Sequence, residues 1–265
     1  MLIEIRLFMA SLPDFAHQRI ERRPARGGHA EPGRAGSASG ASSPPSSKHN
    51  QILRGAREVF LASGFDGASM GEIARAAGVS KGTLYVYFDS KEDLFTALVT
   101  DECTRTAEAC FDLDPDGPSE ETLQGLASRY IHAMLEPSHL RTVRMVIGVA
   151  EKLPEIGRAF LQAGHVEGVR RLSKWLQVKI AQGEFVIEDV ELAAWQFMLG
   201  CQSKIIVPMI FGDNARPDAT IIGNVVDQTV RSFMSAFASK KQAANGTAHG
   251  AAAAETPDPS PASAD

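Results

Sequence analysis

The segment GVSKGTLYVYF at residues 78–88 contains side chains whose chemistry suits contacts with DNA. Lys81 offers a positive charge to a phosphate or a guanine, and Gly82 lets a backbone approach closely. Tyr85 adds a hydroxyl for a phosphate and a ring for the methyl group of thymine. At about 100° per residue, these three positions share one side of a helix, whereas Leu84 and Phe88 lie towards another. The segment therefore predicts a short helix with one buried side and one contacting side.

The residues before this segment favour a helix-turn-helix arrangement. Ala74 is small enough for two helices to cross closely, and Gly78 permits the positive φ of a tight turn. Ile73 and Leu84 supply buried positions that hold the third helix across the second. A glycine turn also occurs in ordinary αα-corners, and a single tyrosine often covers a helix surface without binding anything. Lysine, glycine and tyrosine in one register favour insertion of the third helix into the major groove.

Serine caps mark several helix starts in the chain. Ser69 with Glu72 forms a capping box, Ser80 caps the next helix, and Ser90 opens a longer one. Apolar residues recur at helical spacing throughout, and no strand alternation competes with them, so the expected fold class is all-α. The predicted helices cover residues 48–63, 70–77, 81–88, 91–111, 119–135, 139–152, 155–181, 189–211 and 217–239.

Composition divides the chain into four segments. Residues 1–47 and 240–265 are rich in small and polar residues and have little to bury, which predicts a disordered arm and a disordered tail. Between them, residues 48–100 are assigned to a helix-turn-helix DNA-binding domain and residues 101–239 to a second helical domain.

Charge and composition limit the classes of partner and compartment. The net charge is −5, and residues 48–100 hold equal numbers of acidic and basic side chains. DNA affinity must therefore depend on where charges are placed and on doubling by a dimer. The three cysteines suit a reducing cytosol, and the apolar runs are shorter than the roughly 20 residues of a membrane span. We expect a cytoplasmic protein with no membrane partner, no metal and no cofactor.

Residues 51–99 resemble the N-terminal domain of TetR-family transcriptional regulators. The characteristic run (valine, small hydroxyl residue, lysine, glycine, any residue, leucine, tyrosine, any residue, aromatic residue or histidine, phenylalanine) is complete over residues 79–88. The resemblance implies that Ser69 caps the second helix against a phosphate and that Tyr87 and Lys91 hold the DNA backbone. Val86 replaces a second tyrosine found in some relatives. The groove-facing positions that the resemblance implies are Ser80, Lys81, Gly82, Thr83 and Tyr85.

The C-terminal half is similar to AefR-like members of the same family, notably in RMVIGVAEKLPEIGRAFLQAG and VELAAWQFMLG. Because this half of the family binds ligands and forms dimers, residues 101–239 are expected to do both. Methionine and aromatic side chains suit an apolar ligand, although at helical spacing they are more often simple core. The candidate cavity residues are Met134, Met145, Phe160, Trp175, Trp195 and Met198.

Two apolar stripes near residues 189–211 and 217–239 are candidates for a dimer interface. Stripes of this length make a buried partner plausible, and they could equally form core within one chain. The candidate interface residues are Phe197, Ile205, Ile221, Val225 and Phe233.

The remaining residues give little support for catalysis or metal binding. No nucleophile beside a base, carboxylate pair or phosphate-cradling loop is visible. His132 and His139 lack companions at metal-ligand spacing, and Cys103 and Cys110 are expected to be ordinary thiols. The resemblance implies a ligand-responsive repressor that binds a palindromic DNA operator as a homodimer and is released by a small hydrophobic inducer. A helical protein-interaction module and an enzyme are the alternatives.

Overall fold

A computed structural model describes residues 45–239 of the chain. Residues 1–44 and 240–265, where the sequence predicts a disordered arm and tail, lie outside the described residues. Within 45–239 the fold is all-α as predicted, and the β-structure there is one isolated bridge between Phe185 and Ala238. No helix in this range is long and apolar enough to cross a bilayer.

The described residues form eleven α-helices and one π-helical segment. The helices are α1 (Pro45–Gly67), α2 (Met70–Ala76), α3 (Lys81–Tyr87), α4 (Lys91–Cys110), α5 (Ser119–Met134), α6 (Pro137–Ala150), α7 (Pro154–Leu161), the π-helix (Gln162–Val166), α8 (Glu167–Ala181), α9 (Val190–Gln202), α10 (Ile206–Ile210) and α11 (Ala219–Phe237). Helix α1 begins at Pro45, inside the segment predicted to be a disordered arm.

The helix-turn-helix pair α2–α3 forms as its caps predict. Ser69 Oγ accepts the Glu72 amide, and the Glu72 carboxylate accepts the Ser69 amide, which completes the capping box. Ser80 Oγ accepts the amide of Thr83 at 3.0 Å and starts α3. Gly78 has φ 63°, a left-handed conformation that favours glycine, and turns the chain between the two helices.

A compact apolar cluster holds α2 and α3 in place. Leu84 from α3 and Ile73 from α2 are fully buried in it beside Phe60 of α1 and Phe95 of α4. Val146, Val149 and Ile156, from α6 and α7, complete the same cluster. The core beneath α3 is therefore built partly from residues of the C-terminal half.

Two helices that the sequence predicts as continuous are divided in the structure. The predicted helix at 155–181 consists of α7, the π-helix and α8, because a wider turn replaces α-helical turns at Gln162–Val166. The predicted helix at 189–211 breaks between α9 and α10. Pro208 explains this break, since its ring clashes with the carbonyl of residue 204 and it has no amide hydrogen to donate.

A second, larger core fills the C-terminal half and contains one buried ion pair. Its members include Leu126, Leu172 and Phe197, each buried. Lys179 is 1% exposed, and its Nζ lies 2.8 Å from the Gly117 carbonyl oxygen and 2.9 Å from a Glu184 carboxylate oxygen. This contact fixes α8 to the loop that leads into α5.

Candidate nucleic-acid interface and ligand cavity

One side of α3 is open to solvent and carries the residues with DNA-binding chemistry. Lys81 and Gly82 are exposed, and Tyr85 is 51% exposed, whereas Leu84 on the opposite side is fully buried. A Cβ added to Gly71 of α2 would lie 2.8 Å from Lys81 Cε, so the lysine side chain lies against the start of α2. The structure thus joins Lys81 to the N-terminus of α2 in one surface.

The hydroxyl groups predicted to contact DNA are engaged as helix caps. Ser69 Oγ also donates to the Glu72 carboxylate at 2.7 Å, and this bond lowers the pKa of Glu72. Ser80 Oγ and Thr83 Oγ1 lie 2.9 Å apart. These residues fix the first turns of α2 and α3, so their contribution to DNA binding starts with holding the amides of those turns in place.

Tyr87 and Lys91 both contact other parts of the protein. Tyr87 is half-buried, with its ring centroid 6.5 Å from that of His49. Lys91 Nζ lies 2.8, 3.4 and 3.2 Å from the carbonyl oxygens of Phe65, Asp66 and Ala68, and 4.5 Å from the centre of the Phe65 ring. These three carbonyl oxygens accept hydrogen bonds from the ammonium group, which has three hydrogens to donate. Lys91 therefore ties α4 to the end of α1, and its contact with the DNA backbone stays a prediction.

Gly55 of α1 is a positioning residue that sequence reasoning missed. A Cβ at this position would lie 2.4 Å from the Ala77 backbone nitrogen and 2.6 Å from its Cα. Beside it, Gln51 Nε2 donates to the Ala77 carbonyl at 2.6 Å. A glycine inside an amphipathic helix is the signal that could have indicated this close approach, because it costs stability without such a reason.

A partly buried ion pair joins α4 to α1, the first helix of the DNA-binding domain. Arg57 Nε on α1 lies 2.9 Å from a Glu102 carboxylate oxygen on α4, and the Thr142 hydroxyl of α6 lies 3.3 Å from the other oxygen. Burial raises the pKa of Glu102, and the Arg57 charge offsets part of that effect. Sequence reasoning missed this contact because its partners are distant along the chain.

The residue after Glu102 lines a cavity in the C-terminal half. A narrow cavity of about 20 Å³, room for about one water molecule, lies between residues of α4 to α7 and the π-helix. Its lining consists of Cys103, Thr106, Ala107, Phe111, Tyr130, Met134, His139, Phe160, Gly164 and His165. The cavity and the Arg57–Glu102 pair thus meet at consecutive residues of one helix.

Two of the six predicted cavity residues, Met134 and Phe160, line this space, and the other four do not. Trp175 is buried in the larger core, where its indole Nε1 donates to the Asp114 carbonyl at 2.8 Å. Met198 is buried, with its Cε 2.9 Å from where a Gly168 Cβ would lie. Met145 packs against the apolar cluster that supports α2 and α3. Trp195 does not line the cavity; its ring stacks on that of the lining residue His165, with centroids 5.8 Å apart.

The cavity has a polar end that sequence reasoning did not find. Gln202 Nε2 lies 2.9 Å from His165 Nε2 and also donates to the Tyr130 hydroxyl oxygen. Burial lowers the pKa of His139 to about 4, with a further lowering by His165, and burial likewise lowers the pKa of His165. Both imidazoles are therefore neutral near pH 7. Within residues 45–239, no group of histidine, cysteine and carboxylate side chains converges as a metal site would.

Cys103, Cys110 and Cys201 are all buried thiols. Burial raises the pKa of Cys103 to about 12 and of Cys201 to about 12, and it raises that of Cys110. A thiol held protonated in this way is a poor nucleophile, so none of the three has the properties of a redox sensor.

Four of the five predicted dimer residues belong to the core of one chain. Phe197, Ile205, Val225 and Phe233 are each at most 8% exposed. Their stripes pack α9 and α11 against the rest of the C-terminal half, so these residues are not a surface that a second chain could cover. Ile221 is exposed, at 38%. Burial decides between core and interface here, and the apolar pattern alone does not.

Comparison with known proteins finds matches in both halves of the chain. Residues 52–98 match the family described as bacterial regulatory proteins, tetR family, and residues 121–239 match the AefR-like transcriptional repressor, C-terminal domain. A putative TetR-family regulator from Mesorhizobium loti is 26% identical, with TM-score 0.70, covering 73% of this chain and 98% of its own. The flavonoid-responsive regulator FrrA is 30% identical, with TM-score 0.63, covering 74% of this chain and 99% of its own.

A third similar protein is the fatty acid metabolism regulator protein of Bacillus subtilis, 26% identical over 187 residues, which are 68% of this chain and 91% of that protein. Its match, like that of FrrA, extends through both the helix-turn-helix half and the cavity-bearing half. The chain therefore belongs to the TetR family of DNA-binding transcriptional regulators, which are not enzymes.

Proposed function

We propose that this protein is a repressor that binds a palindromic operator as a homodimer and is released by a small hydrophobic inducer. The observation that carries the proposal is the exposed side of α3, where Lys81, Gly82 and Tyr85 stand free while Leu84 anchors the helix. A capped helix with this polarity is suited to the major groove. The match of residues 121–239 to a repressor C-terminal domain supports repression of transcription over activation.

Two copies of this surface are needed for useful affinity. The charge balance of the DNA-binding segment provides no general attraction to DNA, so affinity arises from a few placed contacts and their repetition in a dimer. Helix-turn-helix dimers place their recognition helices about 34–36 Å apart, in successive major grooves. A palindromic site follows from the two-fold symmetry of such a dimer.

The proposed dimer surface consists of the outward sides of α9 and α11. Leu192 and Leu199 are about half exposed on one side of α9, and Ile221 is exposed on α11. A Cβ at Gly200 would lie 3.0 Å from Thr229 Cγ2, so the two helices cross closely and present one combined surface. This surface replaces the buried residues that the sequence pattern suggested.

The proposed inducer site is the cavity beside α4. Its narrow cross-section means that a ligand must move α4, α7 or the π-helix to enter. Since α4 contacts Arg57 through Glu102, such a movement changes the support of the DNA-binding helices. A ligand that prefers the displaced state lowers the population that fits the operator. The relatives named above, one flavonoid-responsive and one a regulator of fatty acid metabolism, are consistent with an apolar inducer.

A mobility-shift titration on the DNA upstream of the gene tests the proposal. Tyr85→Ala and Lys81→Ala should each weaken binding by about tenfold or more, since a good base or phosphate contact contributes about 1–3 kcal/mol. Lys174→Ala is the matched control, because Lys174 is an exposed lysine on α8, far along the chain from α3. Sedimentation of each variant checks that the dimer persists. Unchanged affinity in both α3 variants would contradict the proposal.

A further inference from the structure

The polar end of the cavity defines what kind of molecule it accepts. Of the ten lining residues, none is lysine, arginine, aspartate or glutamate, so no permanent charge faces the space. The polar groups that line it are neutral: two imidazoles, the Tyr130 phenol, the Cys103 thiol and the Thr106 hydroxyl, which already donates to the Glu102 carbonyl. A ligand with a phosphate or a quaternary amine would enter without a counter-charge and lose its hydration.

Gln202 organises the hydrogen-bonding capacity of this end. Its amide nitrogen only donates, so the bond to His165 Nε2 places the histidine proton on Nδ1. The second amide hydrogen goes to the Tyr130 oxygen, and the Tyr130 hydroxyl hydrogen is left for another acceptor. Among residues 45–239, no hydrogen bond to the His139 ring is formed. The cavity therefore presents spare donors from Tyr130 and His165 and, at His139, one donor and one acceptor.

The π-helix brings His165 to this position. A π-turn adds a residue to a helical turn, and such turns recur at functional sites. A Cβ added to Gly164, in the same segment, would lie 3.4 Å from Cys103 Sγ on α4. The segment therefore lies close against α4. In a continuous α-helix the residues after the turn would be rotated, and His165 would leave the face that meets Gln202.

The apolar part of the cavity is largely aromatic. Phe111 and Phe160 line it, and the His139 ring lies 6.3 Å from that of Phe160. Phe111 also contacts Tyr130 edge-on, at 5.9 Å between centroids. Flat rings fit a narrow space between such walls better than branched or bulky groups do.

We propose that the cavity, once widened by movement of α4, α7 or the π-helix, binds a compact aromatic molecule with a phenolic hydroxyl, whose O–H lies between His139 and His165 while its rings contact Phe111 and Phe160. The hydroxyl donates to the free imidazole nitrogen of His139 and accepts from His165 or Tyr130. This inference rests on the proposed role of the cavity as the inducer site.

A phenol fits better than a carboxylic acid because of charge. A carboxylic acid is ionised near pH 7, and its anion would require a protonated histidine. Burial and the neighbouring imidazole both disfavour that proton on His139. A phenol, with an ordinary pKa near 10, stays neutral and matches a site that is itself neutral.

Isothermal titration calorimetry of the full chain with three naphthalenes tests the proposal. We expect 2-naphthol to bind about tenfold more tightly than 2-methoxynaphthalene, since the ether lacks the donor hydrogen and one good hydrogen bond is worth about that factor. We expect 2-naphthoate to bind more weakly than 2-naphthol. Equal affinities for phenol and ether, tighter binding of naphthoate, or no binding of any of the three would overturn the proposal.

Matched variants locate the effect at the histidines. His139→Phe keeps a ring of similar shape and should reduce the phenol-to-ether preference to about one. His132→Phe, at an exposed histidine of α5, should leave the preference unchanged. The preference in the unaltered protein tests the proposal even where a variant folds poorly. A preference that survives in both His139→Phe and His165→Phe would place the phenol elsewhere.

Operator release is measured separately, so that the two proposals can fail independently. If 2-naphthol binds with the expected preference and the protein stays on its operator, the phenol site stands and the inducer role is wrong. If another apolar compound releases the operator and 2-naphthol does not bind, the inducer role stands and the phenol assignment is wrong.

Discussion

Gly55→Ala is expected to destabilise the protein and weaken operator binding, even though alanine is the better helix former. The added Cβ would lie 2.4 Å from a backbone nitrogen of Ala77, whereas an ordinary contact starts at 3.4 Å. Because backbone atoms cannot swing aside as a side chain does, α1 and α2 must separate by about 1 Å. That movement also stretches the bond between Gln51 and the Ala77 carbonyl.

The size of the effect follows from two opposing terms. Overpacking of this kind costs about 1–3 kcal/mol, and replacing glycine by alanine inside a helix returns about 0.5–1 kcal/mol. The balance is a net loss of up to about 2 kcal/mol. At about 2–4 °C per kcal/mol for a folded region of this size, Tm should fall by up to about 8 °C.

Gly148→Ala is the matched control for this prediction. Gly148 is exposed on α6, and a Cβ there would meet no other atom within 4 Å. The same substitution should therefore raise Tm by a few degrees, opposite in sign to Gly55→Ala. Thermal unfolding followed by circular dichroism measures both variants, and a mobility shift measures operator affinity. If Gly55→Ala matched the stability and DNA affinity of the unaltered protein, the close-approach argument would be wrong.

Two further predictions concern buried charges. Lys179→Met should cost about 1.5–3 kcal/mol, or roughly 3–12 °C in Tm, because the Gly117 carbonyl and the Glu184 carboxylate both lose a charged donor. Lys174→Met at an exposed site should change Tm little, and a similar small change in both variants would refute this. Glu102 has a pKa raised above its ordinary 4.5, so its contribution to stability is present at low pH and is lost as pH rises through the raised value. Glu102→Gln should gain stability relative to the unaltered protein as pH increases from about 4 to 7 in urea titrations, and a pH-independent difference would contradict the assignment.

Local sequence signals were sufficient for the helix-turn-helix. Ser69, Ser80 and Gly78 each act through neighbours a few residues away, so their roles in caps and turns can be inferred from spacing alone. The exposed side of α3 follows from the same local geometry. These are the features for which the sequence expectations and the structure agree most closely.

Long-range contacts were the part that sequence reasoning could not supply. The apolar pattern of Phe197 and Phe233 is the same whether the stripe faces a core or a partner, and only packing decides. Lys91 has the type of a phosphate ligand, and its carbonyl partners become visible only in three dimensions. His139 and His165 meet through the π-helix, which leaves no distinct periodicity in the sequence.

Helix α4 belongs to both apolar cores, which limits where the chain can be truncated. Leu94 and Leu98, in its first half, belong to the apolar cluster that supports α2 and α3. Ala107 and Cys110, in its second half, belong to the larger core. A fragment cut near residue 100 would keep the whole motif by which the family is recognised and would lose Val146 and Ile156 from beneath it. Residues 52–98, which match the family's N-terminal domain, are thus fewer than the residues that build the apolar cluster beneath α3. Fragments meant for structural work on the DNA complex should extend through α7.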